Sequence, residues 1–112
     1  MAVTVTIWHN PRCTKSRETL ALLRERGVEP MVRLYLEDPP TRAELVEVLA
    51  KLGLPASALV RWKEESAPER GASEDAILDA LTATPRVIER PVVIVGERAR
   101  IGRPPEAVLD LL

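Results

Sequence analysis

The sequence predicts an α/β domain with a mixed sheet of about four strands and a helical insertion. Three observations predict this fold class. A strand, a helix and a second strand follow one another at the start of the chain, capped amphipathic helices fill the middle, and a continuous apolar run with a turn and a short strand follows. Strands separated by a helix pair in parallel through a right-handed crossover, whereas strands joined by a tight turn pair antiparallel. At 112 residues the chain is expected to form one domain, 1–112.

The first part of the chain predicts a strand, a helix and a strand. Val3, Val5 and Ile7 alternate with threonines, and a period of two is typical of a strand. Residues 14–26 contain mostly helix-forming residues, and Gly27 provides a natural stop. The segment PMVRLYL then predicts a second short strand.

The middle of the chain predicts three helices. Thr41 and Glu44 form a capping box before an apolar stripe at helical spacing, which consists of Leu45, Val48, Leu49 and Leu52. Gly53 ends this helix, and the segment PASALVRW predicts a short helix with proline at its first position. Residues 64–72 are polar and predict a loop. Ser73 is expected to cap a third helix, whose apolar side contains Ile77, Ala80 and Leu81.

The last third of the chain predicts a buried strand, a hairpin and a terminal helix. Residues 91–95 are continuously apolar, as expected for a strand buried on both faces, and Pro91 stands where a missing N–H is tolerated. Gly96 and Glu97 can turn the chain into a short strand at 99–101. The segment PPEAVLDLL predicts a helix with one apolar side, formed by Val108, Leu111 and Leu112.

Composition excludes several classes of protein. Sixteen basic residues nearly balance seventeen acidic ones, which argues against a nucleic-acid partner. The single cysteine cannot form an internal disulfide, and no C-x-x-C or similar ligand spacing predicts a metal site. No segment resembles a signal peptide or approaches the ~20 apolar residues of a membrane span. We therefore expect a cytoplasmic protein with no membrane association. We also expect a monomer with no bound cofactor.

Cys13 stands at the junction between the first strand and the first helix. Its neighbours are polar or basic rather than aliphatic, namely His9, Asn10, Arg12, Thr14, Lys15 and Ser16. Free cysteines are commonly small buried hydrophobic residues, but these neighbours argue against that interpretation. Ligands of α/β sheets bind at this edge, and the N–H groups and dipole of a helix N-terminus stabilise anions. The pattern predicts a thiolate, with a pKa below the ~8.5 of free cysteine, beside an anion-binding loop.

The other residues of this loop allow more than one interpretation. His9 is a candidate general base, and equally a packed or solvent-facing ring. Asn10 is expected to hydrogen-bond the loop, and Pro11 to shape its turn. Ser16 occupies the place of the second cysteine of a C-x-x-C motif, and we expect it to be an ordinary first-turn helix residue. Because no internal thiol can resolve a bond formed at Cys13, thiol turnover requires an external thiol.

The segment HNPRCTKSR resembles the H-N-P-x-C-x-x-S-R motif of the glutaredoxin-coupled arsenate reductases. Four further segments match the family in the same order along the chain: LYLEDPPTRAEL, LVRWKE, IERPVVI and RIGRPPEAVLDLL. Together they extend from about Val3 to Leu112. The resemblance implies a thioredoxin-like, or glutaredoxin-like, fold with a helical insertion at about 41–84.

The resemblance also implies roles for particular residues. Cys13 is the expected nucleophile toward arsenate, and Arg61, Arg90 and Arg103 are expected to hold the oxyanion. A single arginine is ordinarily a solvated surface charge, but guanidinium groups bind tetrahedral oxyanions through paired hydrogen bonds. Pro91 is expected to follow a cis peptide bond and to face the cysteine. The implied activity is the reduction of arsenate to arsenite with glutathione and glutaredoxin, as in arsenic detoxification.

Two alternatives stay open at this point. The first is a general glutathione-dependent thiol oxidoreductase. The second is a regulator of the Spx type that binds RNA polymerase, but such proteins usually carry C-x-x-C, and this chain has Cys13 alone. A C-x5-R phosphatase is excluded because Thr19 stands where the arginine is required. The chain also has Thr14 where some reductases have glycine.

Overall fold

The computed structural model describes residues 4–112, so that Val3 of the predicted first strand lies outside the described residues. The strands are β1 (Val5–Trp8), β2 (Met31–Arg33), β3 (Val92–Val95) and β4 (Arg98–Ile101). The α-helices are α1 (Thr14–Glu25), α2 (Arg42–Leu52) and α3 (Glu74–Ala83). Three segments form 3₁₀ helices: Ala56–Leu59, Pro85–Val87 and Pro105–Leu111.

The described residues form two compact units. The sheet unit comprises the described part of Met1–Asp38 together with Arg90–Leu112, and the helical unit comprises Pro39–Glu89. The helical unit contains the whole of the predicted insertion at about 41–84. That the full chain constitutes one domain stays a prediction.

The four strands form one mixed sheet in the order β2-β1-β3-β4. β1 pairs in parallel with β2, with Thr6 opposite Met31, and pairs antiparallel with β3, with Ile7 opposite Val93. β3 and β4 form the predicted antiparallel hairpin. These pairings confirm the mixed sheet, and they place the carboxyl end of β1 at the interior of the sheet.

β2 is shorter than the sequence predicted. The strand was expected to occupy most of the segment PMVRLYL, but it ends at Arg33. The backbone N–H groups of Glu37 and Asp38 both donate to the carbonyl oxygen of Leu34, each at 2.9 Å. The chain therefore turns immediately after the strand, and the aromatic residue Tyr35 is buried within that turn instead of in a β-ladder.

The core of the sheet unit lies between one face of the sheet and two helical segments. It consists of Ile7, Leu23, Val93, Val108 and Leu111. The terminal segment is a 3₁₀ helix, in which residues three apart share a side. Pro105 is therefore buried with Val108 and Leu111, whereas Leu112 is 51% exposed. The prediction that Leu112 belongs to the apolar side was wrong, because it assumed an α-helical period.

The helical unit follows the predicted capping signals closely. Thr41 Oγ1 accepts from Glu44 N–H at 3.1 Å, and Glu44 Oε1 accepts from Thr41 N–H at 3.0 Å. This capping box confirms the start of α2, and Gly53 ends the helix with a positive φ of 69°. The predicted stripe is buried and consists of Leu45, Val48, Leu49 and Leu52.

Two details of the helical unit differ from the prediction. Pro55 precedes the 3₁₀ helix Ala56–Leu59 and is not its first residue. Ser73 caps α3 as predicted, since its side chain accepts from Ala76 N–H at 3.1 Å. The buried side of α3 contains Leu78 as well as Ile77 and Leu81, whereas Ala80 is only half-buried.

Candidate active site

Cys13 is the N-cap residue of α1, and it follows the carboxyl end of β1 by five residues. Its backbone is extended, with φ −95° and ψ 122°. Its carbonyl oxygen accepts the first helical hydrogen bond, from Arg17 N–H at 3.0 Å, and its own N–H donates to the carbonyl oxygen of Asn10 at 3.0 Å. The half-buried thiol is thus fixed at the N-terminal end of the helix, where the first N–H groups have no partner within the helix.

The loop between β1 and Cys13 is fixed by local hydrogen bonds. His9 N–H donates to the carbonyl oxygen of Arg33 at 2.8 Å, which continues the pairing of β1 with β2 by one residue. Asn10 Oδ1 accepts from Arg12 N–H at 3.0 Å, and Pro11 and Arg12 form the exposed turn. A short asparagine side chain that bonds to the backbone two residues later stabilises a tight turn of this kind.

Ser16 is the buried centre of the loop. Its Oγ lies 2.7 Å from Nδ1 of His9 and accepts from Asn10 N–H at 3.0 Å. Burial, and secondarily the positive charges of Arg24 and Arg17, lower the pKa of His9 below its ordinary value. His9 is therefore a packed ring that holds the loop through Ser16, which is one of the two interpretations that the sequence left open, and its lowered pKa favours the neutral form. Ser16 has a larger structural part than an ordinary first-turn residue.

Replacing Ser16 by alanine is expected to destabilise the protein by about 1–3 kcal/mol, because Asn10 N–H and His9 Nδ1 would lose a buried partner. Thermal unfolding measures the change. Ser57→Ala in the helical unit is a suitable control, because Ser57 is only half-buried. A Ser16→Ala variant that melts at the wild-type temperature would show that the loop does not depend on this hydroxyl.

Two arginines of the sheet unit lie beside the thiol. Arg103 Nη2 donates to Cys13 Sγ at 3.7 Å, and Arg103 Nε donates to the carbonyl oxygen of Arg90 at 2.9 Å. Burial by itself raises the pKa of the Cys13 thiol, but the backbone N–H of Ser16, the Arg90 guanidinium and the backbone N–H of Lys15 lower it. The net result is a pKa below the ordinary cysteine value.

Each of these two arginines precedes a cis proline. The Arg90–Pro91 peptide bond is cis, as the resemblance implied, and the Arg103–Pro104 bond is cis as well. Pro91 is buried, and its carbonyl oxygen accepts from Gly102 N–H at 2.9 Å. This hydrogen bond joins the chain just before β3 to the end of β4, so that the two arginines lie on adjacent segments.

Gly102 and Thr19 belong to this site, and sequence reasoning did not identify them. A Cβ atom on Gly102 would lie 2.6 Å from Thr19 Oγ1 and 2.7 Å from Pro91 Cγ. Thr19 is fully buried on α1, where its hydroxyl donates to the carbonyl oxygen of Lys15 at 2.8 Å. The close approach depends on residues far apart in sequence, and only the glycine in RIGRPPE could have indicated it.

The remaining basic residues of the loop are exposed. Arg17 donates through Nη1 to the carbonyl oxygen of Pro11 at 2.8 Å and through Nη2 to Thr14 Oγ1 at 3.2 Å. Lys15 Nζ lies 3.6 Å from Glu18 Oε2. Arg17 therefore stabilises the exposed side of the loop through these hydrogen bonds. Thr14 and Lys15 occupy the first turn of α1.

Arg61 belongs to the helical unit. Its backbone N–H donates to the carbonyl oxygen of Val87 at 2.7 Å, next to the antiparallel bridge between Val60 and Ile88. Its Nε lies 3.8 Å from Glu64 Oε2. These contacts fix the backbone of Arg61 within its unit, and its part in holding an oxyanion stays a prediction.

A family model described as the ArsC family matches residues 8–111. The chain belongs to the ArsC family. The segment that matches includes the loop, Arg90, Arg103 and the whole helical unit.

Individual ArsC relatives are similar over nearly the full chain. An uncharacterised protein of Escherichia coli strain K12, YfgD, is 48% identical over 118 residues, covering 100% of this chain and 99% of that protein. An arsenate reductase of Rhizobium meliloti strain 1021 is 44% identical over 115 residues, covering 98% of this chain and 82% of that protein. The solved structure of an arsenate reductase from Vibrio cholerae has a TM-score of 0.93 at 45% identity, covering 100% of both chains. The predicted thioredoxin-like α/β fold is thereby confirmed.

Metal-ligand clusters and membrane-spanning helices are both absent from the described part of this ArsC chain. Residues 4–112 contain no group of three or more histidine, cysteine, aspartate or glutamate side chains suited to a metal ion. Within the same range, none of the helices is both long enough and apolar enough to cross a membrane.

The site geometry leads to a direct prediction for the reactivity of this ArsC protein. Because its pKa is lowered, Cys13 is expected to be alkylated rapidly near pH 7, with a half-maximal rate below the ~8.5 of free cysteine. The rate should rise with pH through the lowered pKa and then stay constant. Iodoacetamide kinetics followed by mass spectrometry measure the profile, and a midpoint at or above ~8.5 would contradict a catalytic thiolate.

Proposed function

We propose that this ArsC protein is an arsenate reductase that converts arsenate to arsenite with glutathione and glutaredoxin as reductants and with no bound cofactor. The observation that carries the proposal is the placement of Arg103 and Arg90 beside the Cys13 thiol at the N-terminus of α1. A thiolate surrounded by guanidinium groups suits an electrophile that is itself a tetrahedral oxyanion. The arsenate reductases among the relatives support the same substrate.

In the first step, the Cys13 thiolate attacks arsenic(V). A sulfur–arsenic bond forms, and one arsenate oxygen takes up protons and leaves as water. Arg61, Arg90 and Arg103 hold the remaining oxygens and stabilise the charge that develops on them. Because Arg90 also lowers the pKa of Cys13, the same guanidinium both prepares the nucleophile and binds the substrate.

The reduction itself requires two external thiols. A glutathione thiolate attacks the arsenic of the Cys13 adduct, and a second oxygen leaves as water. A glutaredoxin thiolate then attacks the glutathione sulfur, so that the sulfur–arsenic electron pair stays on arsenic and reduces it to arsenic(III). The mixed disulfide of glutathione and glutaredoxin leaves, and water releases arsenite and regenerates Cys13. We place this cycle in the cytoplasm, where these thiols are reduced, and we propose that a monomer performs it.

The alternatives make different demands on the same residues. A general glutathione-dependent thiol oxidoreductase needs the reactive Cys13 but has no use for an oxyanion clamp. A polymerase-binding regulator of the Spx type usually carries a C-x-x-C pair, whereas Ser16 occupies the second position here. The arginines at Cys13 therefore favour the reductase.

Arsenite production by the purified protein tests the proposal. Protein and arsenate alone should give no sustained turnover, because no second cysteine can resolve the adduct. Glutathione together with glutaredoxin should restore turnover, and omission of either should remove it. Thioredoxin is the matched control, and equal turnover with thioredoxin alone would contradict the proposed sequence of thiols.

A further inference from the structure

The end of β4 is packed against α1 with no space for a side chain at position 102. Gly102 is buried, and any Cβ there would lie 2.6 Å from Thr19 Oγ1, 2.7 Å from Pro91 Cγ and 3.2 Å from Thr19 Cγ2. The backbone of this glycine is not in the left-handed region, so that its conformation is open to other residues. The requirement for glycine at this position is therefore one of space.

The contact joins the three segments that form the thiol site. Thr19 lies on α1, the helix whose N-cap is Cys13. Pro91 follows Arg90, and Gly102 precedes Arg103. The contact among these three residues therefore lies between the helix that holds the thiol and the two segments that carry Arg90 and Arg103.

We propose that Gly102 and Thr19 are positioning residues, whose close packing brings Arg103 and Arg90 within reach of the Cys13 sulfur. The inference rests on the proposed function only in naming arsenate as the anion that the arginines bind. The approach of the arginines to the thiol is itself independent of the substrate.

The distances around position 102 leave no space for a methyl group without a displacement of the end of β4. Carbon atoms in ordinary contact lie about 3.5–4.0 Å apart, so that a methyl group at position 102 must move the end of β4 away from both α1 and Pro91 by roughly 1 Å. Arg103 Nη2 is already 3.7 Å from Cys13 Sγ, which is a long hydrogen bond even for sulfur. A further displacement of that size would break the contact.

The test compares Gly102→Ala with Gly71→Ala. Gly71 has no atom within 4 Å of an added Cβ, so that the same substitution there should leave Cys13 unchanged. In Gly102→Ala the pH midpoint of Cys13 alkylation should move up toward that of free cysteine. The concentration of sulfate or arsenate that protects Cys13 from alkylation by half should rise about tenfold. A merely structural role would lower the melting temperature without moving either quantity.

A double variant separates packing at this contact from a general loss of folding. Thr19→Ala removes both threonine atoms that a Cβ at position 102 would meet, whereas the contact with Pro91 persists. The midpoint of Gly102→Ala/Thr19→Ala should therefore lie between those of Gly102→Ala and the wild type. If Gly102→Ala does not fold, the double variant is compared with Thr19→Ala alone, and a higher midpoint in the double variant supports the proposal.

Two outcomes would overturn the inference. One is a folded Gly102→Ala protein with the wild-type alkylation midpoint and wild-type anion protection. The other, where the single variant does not fold, is an equal midpoint in the double variant and in Thr19→Ala. A wild-type protein that shows the predicted midpoint shift in its variants but produces no arsenite would instead contradict the proposed function and leave the positioning roles intact.

Discussion

Replacing Cys13 by serine is expected to reduce arsenate turnover at least ~1,000-fold, to the rate of the thiol reagents without protein. Serine is nearly isosteric, but its hydroxyl is not ionised near neutral pH and forms no comparable bond to arsenic. Arsenite production in the presence of glutathione and glutaredoxin measures the effect. The substitution leaves Arg90, Arg103 and the helix N–H groups in place, so that the defect should be confined to the chemical step.

An intact anion site provides the control for this variant. Sulfate or arsenate should still bind Cys13→Ser, which a direct binding method such as calorimetry can measure. Turnover above the reagent background in Cys13→Ser would mean that arsenic is reduced elsewhere, and both the mechanism and the role of this loop would then be wrong.

Removing the guanidinium group of Arg90 or Arg103 is expected to lower arsenate turnover about ten- to a hundredfold. A charge-assisted clamp on an oxyanion contributes roughly 1.5–3 kcal/mol, which corresponds to that range. Lysine should restore only part of the loss at either position, because an ammonium group cannot make the paired contact. Arg61→Ala should have an effect of similar size if the arginine of the helical unit also holds the oxyanion.

The matched control for these variants is Arg98→Ala. Arg98 is an exposed arginine at the first position of β4, the strand that leads to Arg103. Its loss should change neither turnover nor stability, since surface substitutions usually alter unfolding by less than ~0.5 kcal/mol. If Arg61→Ala, Arg90→Ala and Arg103→Ala all keep wild-type arsenate turnover, the reductase proposal fails and a general thiol activity gains support.

Sequence reasoning succeeded where the deciding interactions are local. The start of α2 follows from Thr41 and Glu44, three residues apart, and the stripe from Leu45 to Leu52 follows from helical spacing. The position of Cys13 between β1 and α1 likewise follows from the sequence, because the apolar residues before it alternate as in a strand and the residues after it are typical of a helix. Capping hydrogen bonds between residues three or four apart, and the periodicity of apolar side chains, can be predicted directly from a linear sequence.

The rest could not be predicted, because it depends on contacts between distant segments. Ser16 bonds His9 and Asn10 across seven and six positions, which is beyond the spacing that a helix or a capping motif displays in sequence. Gly102 packs against Thr19, which is 83 positions away in sequence, and no local sequence pattern predicts this contact. The early end of β2 at Arg33 was missed for another reason, since residues 34–36 resemble a strand continuation but belong to a turn in which only Tyr35 is buried.

Because the pKa values of His9 and Cys13 are lowered in the folded protein, unfolding is coupled to proton uptake and folding stability depends on pH. The unfolded chain binds protons at both groups at a higher pH than the folded chain does. Over the pH range between each folded pKa and its ordinary value, about 6.5 for His9 and ~8.5 for Cys13, unfolding therefore takes up protons and folding stability rises with pH. The stabilisation is complete above the ordinary values and is lost as the pH falls through the lowered ones. Acidification consequently removes the reactive thiolate and weakens the loop that holds it at the same time.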